Sequence, residues 1–405
     1  MGVHPESLLV RLQMIPDPRR REGRMYPLPA LVGVLLLGVL HGRDSLRGAW
    51  VWSAQQWPSL WRTLGARSPH VPCYQTVRGL VSRLDADAVD RSIRPWVEQL
   101  LGHPVGGVSA DGKRLRGSKQ DDLPGQHLLS FVSHDLGGVL AQREAENGDD
   151  VSALVALLTE VPLRERLLTL DAGLLNAQVT QDIRAHHGDY LGLVNGNQAE
   201  VKAVLDDWIG EAVFFPDGPP AAIPPEEVPY SRKQQRDVAF QEHFRHPRRA
   251  PDARTWDTGH GRLEYRELWV VPAGDLGPYL AAEWGWQDIT QIGWIRRYRK
   301  RLRAPHWTVE EHTVVTSAGD LAAADLLFHL RAHWTIENRV HYPCDVSWQE
   351  DRAHGRAIGP MLAWLCNLAL TLIRQQRFAY VPDAWSYLAA HTEEALRWLV
   401  GKLKE

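Results

Sequence analysis

The chain has 405 residues, with 46 Lys+Arg against 49 Asp+Glu, a formal net charge of −3. Hydrophobic residues make up 44% and charged residues 23%, which excludes a disordered or fibrous chain, and near-neutrality argues against a uniformly basic polyanion binder. Three cysteines, Cys73, Cys344 and Cys366, with no CxxC pair exclude a disulfide scaffold and the common structural zinc sites, and suit a reducing cytoplasm.

The first hundred residues read as helical. An apolar segment from Leu28 to Leu40 is followed by helical stretches at Ser45 to Gln55, Tyr74 to Leu84 and Ala86 to Leu101. The last carries Val89, Ile93, Trp96, Val97 and Leu100 at helical spacing. The apolar runs at Tyr26 to Leu40 and Met361 to Ile373 are shorter than the ~20 residues a bilayer span needs, and no signal-peptide pattern opens the chain. A cytoplasmic protein without membrane contact is expected. Charge divides unevenly: residues 1–110 hold 13 Arg, no Lys and 8 acids, and are therefore +5, which leaves the remainder at −8.

From Val105 the pattern turns to strands. Gly107 to Asp111 is a short buried strand ending on an acid; His127 to Ser133 and Val139 to Ala145 form a hairpin about Asp135-Leu136-Gly137-Gly138. Asp149 or Asp150 caps a helix through Leu158. Leu167 to Asp171 is a second strand ending on an acid, followed by a helix from Asn176 to His187, a strand Tyr190 to Val194 and a helix Gln198 to Ile209. A proline-rich loop spans Pro216 to Pro229, and strands are predicted at Leu263–Val271, Ile289–Tyr298 and Trp307–Thr316. A long helix then runs from near Ser317 or Asp320 to Tyr342, where Pro343 stops it. The parsing gives four segments: a helical 1–104, an α/β 105–210, a β-rich 211–318 and a helical 319–405.

Two strands that each end on an Asp can bring carboxylates to one sheet edge, where α/β sheets build their sites. Taken singly, Asp111 could be a turn residue and Asp171 a helix cap. A third acid, Glu337, stands between His333 and His341 at i−4 and i+4 on a largely apolar helix. Oxygen ligands of this kind hold pairs of Mg²⁺ ions for in-line phosphoryl transfer. A zinc face of His333, Glu337 and His341 is disfavoured, because i, i+4 and i+8 spread about 12 Å along a helix.

The stretches Asp111-Gly112-Lys113, Leu170-Asp171-Ala172 and Gly196-Asn197-Gln198 resemble the ISAs-type insertion-sequence transposases (H-repeat-associated proteins), a branch of the DDE transposases. So do His260-Gly261-Arg262-Leu263-Glu264-Tyr265-Arg266 and Arg331-Ala332-His333-Trp334-Thr335-Ile336-Glu337-Asn338, continuing to His341, Asp345 and Glu350-Asp351. The resemblance covers nearly the whole chain. It implies an α/β, ribonuclease-H-like catalytic core with a β-rich insertion and a helical N-terminal domain that recognises DNA ends. It also implies a catalytic, metal-binding triad of Asp111, Asp171 and Glu337, Mg²⁺ as cofactor with Mn²⁺ as substitute, double-stranded DNA as partner, and a homodimer on DNA. Two lysines usual in the family are replaced, by Asn195 before Gly-Asn-Gln and in the run Asn147-Gly148-Asp149-Asp150. A decayed copy acting only as a DNA-binding protein is the competing expectation.

DNA contacts are expected from Lys113, from Arg296, Arg297, Arg299, Lys300, Arg301 and Arg303 (six cations in eight residues), from His260, Arg262 and Arg266, and from Trp334, Asn338 and Arg339. In a strand, Arg297, Arg299 and Arg301 share one face, with Arg296, Tyr298 and Lys300 on the other. Further basic clusters lie at Arg19-Arg20-Arg21 with Arg24 and at Arg245 to Arg249. Of 17 Trp, most are expected in the core, with Trp294, Trp307 and Trp334 as candidates for stacking on a base.

Overall fold

The computed structural model describes residues 6–101, 106–164, 166–214, 247, 249–259, 261–304, 306–352 and 355–401. The Pro216–Pro229 loop, His260, and Arg245, His246 and Arg248 of one basic cluster lie outside the described residues.

In chain order the helices and strands are α1 (Leu8–Arg11), α2 (Leu28–Leu40), α3 (Leu46–Leu60), α4 (Tyr74–Val81), α5 (Ala86–Leu101), β1 (Val108–Leu115), β2 (Gln126–Ser133), β3 (Val139–Ala145), α6 (Asp150–Glu160) and β4 (Leu167–Leu170). There follow α7 (Ala177–Ala185), β5 (Asp189–Val194), α8 (Ala199–Phe214), β6 (Ala253–Gly259), β7 (Arg262–Pro272), α9 (Leu276–Trp284), β8 (Gln291–Arg301), β9 (Thr308–Thr316) and α10 (Ala323–Trp334). Beyond two π-helical turns (Glu337–His341 and Pro343–Ser347) come α11 (Gly359–Gln375), α12 (Val381–Ala390) and α13 (Thr392–Val400). The β-β-β-α-β-α-β-α order over 108–214 is the one the sequence predicts. No helix of the described residues is long and apolar enough to cross a membrane.

The chain forms two compact units, residues 1–161 with 334–405, and residues 162–333. In the first, β1, β2 and β3 form an antiparallel meander, with Asp111 opposite Ser130 and Lys113 opposite Leu128. α5 and α11 pack on β3, and α2 packs on α3 and α11. α2 is apolar on every side and buries all its residues but Pro29, so it must be enclosed by protein. Gly38 permits this: a Cβ there would lie 2.9 Å from the Ala49 Cα on α3. α11 packs against α2 and α5 and so shares a core with the N-terminal helices. Asp149 caps α6, accepting from the Ser152 N–H at 3.0 Å.

In the second unit β4 and β5 are parallel, joined through α7, and β5 pairs antiparallel with β9 from Leu191 opposite Thr316 to Val194 opposite Thr313. β8, β7 and β6 continue outward as antiparallel neighbours. The strands of 211–318 therefore extend the sheet that holds β4 and β5, and the sequence had missed β6 and α9. Six tryptophans, Trp57, Trp96, Trp269, Trp286, Trp348 and Trp364, are among the largest fully buried side chains.

The expected stop at Pro343 is corrected by the structure. Pro343 opens a second π-helical turn, where its missing N–H is not needed, and the Trp348 N–H closes that turn onto the Pro343 carbonyl at 3.1 Å.

Candidate active site

In the first unit β1 presents Asp111 and Lys113, alternate residues and hence on one face of the strand. Gly112 between them faces the other way, against α6. A Cβ at 112 would come within 2.5 Å of an Asp150 carboxylate oxygen, so any larger residue there would have to displace that side chain. The segment 341–350 covers Asp111 and Lys113. His341 Nε2 lies 2.8 Å from Asp111 Oδ2, with the imidazole buried and the Asp111 side chain 21% exposed. Lys113 Nζ lies 2.6 Å from Asp345 Oδ1 and is also ion-paired with the buried Glu350. Burial alone would push the Lys113 ammonium down; the Glu350 and Asp345 carboxylates outweigh it and hold its pKa above the ordinary value. Expected as a phosphate contact, Lys113 is thus already engaged by two carboxylates.

Glu337 stands four residues before His341 and is exposed, with no hydrogen bond or ion pair to its carboxylate among the described residues. Asn338 and Arg339 are exposed beside it. The Arg339 guanidinium donates to the His134 carbonyl at 3.0 Å, its stem lies along Gly137, and Arg374 donates to the Arg339 carbonyl at 3.1 Å. Arg339 therefore ties the Glu337-bearing turn to the β2–β3 hairpin.

In the second unit Asp171 follows β4. Its Oδ1 accepts the Leu174 N–H at 2.9 Å, while α7 is capped by Asn176, which accepts from the Val179 N–H at 3.0 Å. Asp171 thus holds the turn with one oxygen and is not the helix cap. Asn197, of the Gly-Asn-Gln motif, donates to the Ala172 carbonyl at 2.6 Å. His333 Nδ1 lies 3.1 Å from Thr169 Oγ1 on β4, and Trp334 is half-buried.

The basic cluster of β8 also lies in the second unit, and it divides by face as strand alternation requires. On one face Arg262, Glu264 and Arg266 of β7 stand opposite Arg301, Arg299 and Arg297 of β8. Glu264, 4% exposed, receives Arg297 at 2.9 Å, Arg262 at 2.7 Å, and Arg266. Asp257 receives both Arg266 and Arg331, and Glu310 receives Arg299. On the other face Trp256, Tyr265, Tyr298 and Trp307 pack together, Lys300 lies 5.9 Å from the Trp307 ring centre, and Arg296 pairs with Glu311 at 2.7 Å. Trp294 and Trp307 are buried, 7% and 4% exposed, which makes them wall rather than open stacking platforms. Arg301 and Arg303 are exposed and enter no ion pair among the described residues.

A hard divalent cation suits the chemistry of Asp111, Asp171 and Glu337, all oxygen donors. In this conformation no three His, Cys, Asp or Glu side chains among the described residues converge closely enough to hold a metal ion. The sequence assigns Asp345 and Glu350 no role beyond membership of a motif, and His341 only a place in the disfavoured zinc face. Their positions four to thirteen residues after Glu337 were visible, but their partners on β1 were not.

The Transposase DDE domain family matches residues 88–373, and the DDE_Tnp_1-associated family matches residues 9–97. The putative transposase YncI of Escherichia coli O157:H7 is 23% identical over 91% of this chain and 87% of its own length. The H repeat-associated putative transposase YhhI of Escherichia coli K12 is 21% identical over 85% of this chain and 84% of its own. A solved piggyBac transposase synaptic complex with hairpin DNA aligns over 98% of this chain and 80% of that one, at 9% identity and a TM-score of 0.41. With the DDE-domain match running from α5 to α11 and taking in Asp111, Asp171 and Glu337, the chain belongs to the transposase DDE domain family.

Proposed function

We propose that this chain is a metal-dependent insertion-sequence transposase with a ribonuclease-H-like core, cutting DNA at the element's ends and joining the freed 3′-hydroxyl to target DNA. The observation that carries the reading is the pairing of roles in one unit. Asp111 is held by His341 through one oxygen, while Glu337, four residues earlier on the same turn segment, is exposed and uncommitted.

Asp111, Asp171 and Glu337 would hold the cofactor, Mg²⁺ with Mn²⁺ as substitute. Two bound divalent cations would supply activation of the attacking oxygen and stabilisation of the leaving one. The protein's own contribution is to fix the ligands. His341 holds Asp111, the Leu174 N–H and Asn197 shape the turn after Asp171, and Arg339 secures the backbone beside Glu337. Contact with the DNA backbone would come mainly from Arg301 and Arg303 at the β8–β9 turn, with Arg262 and Arg299 behind them, since Arg266, Arg296 and Arg297 are more deeply buried in ion pairs. Two copies of the chain would act on paired ends.

Strand transfer with cognate ends and Mg²⁺ tests the reading. Wild-type protein should yield nicked ends and joined products, and Asp111→Asn neither; full activity in Asp111→Asn would overturn the assignment.

A further inference from the structure

We infer that His341 is a positioning residue for the metal-ligand face of Asp111, fixing which carboxylate oxygen is presented; this rests on Asp111 being a metal ligand. An ionised carboxylate only accepts hydrogen bonds, so the 2.8 Å contact requires His341 to carry its proton on Nε2 and donate it to Asp111 Oδ2. The donation occupies the Oδ2 lone pair that faces His341 and leaves Oδ1 outside this contact. The backbone of β1 fixes where the Asp111 side chain starts, but a carboxylate is otherwise free to rotate about its last torsion, which has a broad minimum.

The imidazole itself is well anchored. It is 6% exposed, and the turn that carries it is fastened on both sides. Two residues before it, Arg339 is bonded to the His134 carbonyl at 3.0 Å. Four and nine residues after it, Asp345 and Glu350 grip Lys113, which shares the strand face of Asp111. The geometry therefore holds His341 against β1 and makes its hydrogen bond a fixed constraint on Asp111. Residues that orient a metal ligand in this way usually change metal affinity or activity by about 10–100-fold when removed.

The test compares His341→Leu, His341→Gln, His341→Asn and Asp111→Asn in the full chain. It reads Mn²⁺ affinity by electron paramagnetic resonance without DNA, and the Mg²⁺ dependence of end cleavage. His341→Leu should weaken Mn²⁺ binding about 10–100-fold and raise the Mg²⁺ requirement in parallel. His341→Gln, whose amide nitrogen reaches the Nε2 position, should recover most of both; His341→Asn, which reaches only the Nδ1 position, should not. Wild-type Mn²⁺ affinity in His341→Leu, or a Gln variant no better than Asn, would overturn the inference. If the Leu variant does not fold, the Gln–Asn comparison decides alone. Wild-type affinity in Asp111→Asn would instead refute the ligand assignment on which the inference rests.

Discussion

Arg297 of β8 donates to Glu264 of β7 at 2.9 Å, across a strand pair whose facing residues are Arg266 and Arg297 on one rung and Glu264 and Arg299 on the next. Glu264 thereby becomes the common anion of Arg262, Arg266 and Arg297.

Burial alone would raise the Glu264 carboxyl, but the hydrogen bond from Arg297 and the charges of Arg266, Arg297 and Arg262 outweigh it and hold its pKa below the ordinary 4.5. A carboxylate lowered on folding contributes stability that is complete above its unfolded pKa and is lost as pH falls through the lower folded value. Glu264→Gln should therefore lower stability at pH 7, by on the order of 3 kcal/mol as for a broken buried pair, and should flatten the loss on acidification below about pH 4.5. Denaturation of both proteins across pH 3–7 measures this; an unchanged acid limb in the variant would refute it.

Asp90 in the first unit should behave in the opposite sense. It has one guanidinium, Arg94, at 2.7 Å, and Arg94 also serves Glu160 at 3.0 Å. Burial dominates and raises the Asp90 carboxyl to about 7 despite Arg94 and the Gln142 N–H. Between its unfolded pKa and 7 the folded state then holds the proton that the unfolded state has released, so stability falls as pH rises through this window. Asp90→Asn should remove that fall between about pH 4 and 7, read by chemical denaturation; an equal slope in the variant would show that Asp90 ionises freely in the fold.

These two carboxylates show what the sequence discloses and what it withholds. Strand alternation already assigned Arg297, Arg299 and Arg301 to one face, and the spans of α2, α5 and β3 follow from apolar periodicity and from turn residues such as Gly137-Gly138. The end of β4 before Asp171 was equally legible; the strand end expected at Asp111 is corrected by the structure, because β1 stays paired with β2 as far as Leu115 and leaves Asp111 within the strand. Partners were not. Glu264 neutralises a cluster that begins 32 residues later, and Lys113 meets Glu350 across 237 residues, distances over which no local pattern carries information. The π-helical turns were hidden for a related reason. Pro343 locally favours a stop, and only the packing of 341–350 on β1 makes continuation worthwhile.

Pairing also sorts the basic cluster by expected effect on DNA. Arg301 and Arg303 are exposed and have no ion pair among the described residues, so Arg301→Ala and Arg303→Ala should each reduce the slope of log K against log salt by about 0.9 per lost phosphate contact. Arg297→Ala should chiefly lower the melting temperature, because it removes a guanidinium from a buried carboxylate. Filter binding at a series of salt concentrations separates the cases. An unchanged slope in the Arg301, Arg303 double variant would place the DNA elsewhere.

Lys113 stands on the same face of β1 as Asp111. Its ammonium lies between Asp345, a third exposed, and the buried Glu350, so removing it leaves Glu350 buried beside a second carboxylate with no counter-charge from Lys113. Lys113→Met should cost about 3–5 kcal/mol, the usual result of orphaning a buried charge. Glu350→Gln alone should cost less, because Asp345 still pairs with the ammonium. The double variant Lys113→Met, Glu350→Gln should recover part of the single Lys113 loss, giving a coupling energy of at least 1 kcal/mol in a double-mutant cycle, within the ~0.5–3 kcal/mol seen for contacting residues. If Lys113 instead served mainly to hold phosphate, Lys113→Met would leave the melting temperature near wild type while weakening DNA binding, and the cycle would show no coupling. The first result makes Lys113 the fastener of the Asp111 strand, with its effect on cleavage arising through position rather than through direct contact with DNA.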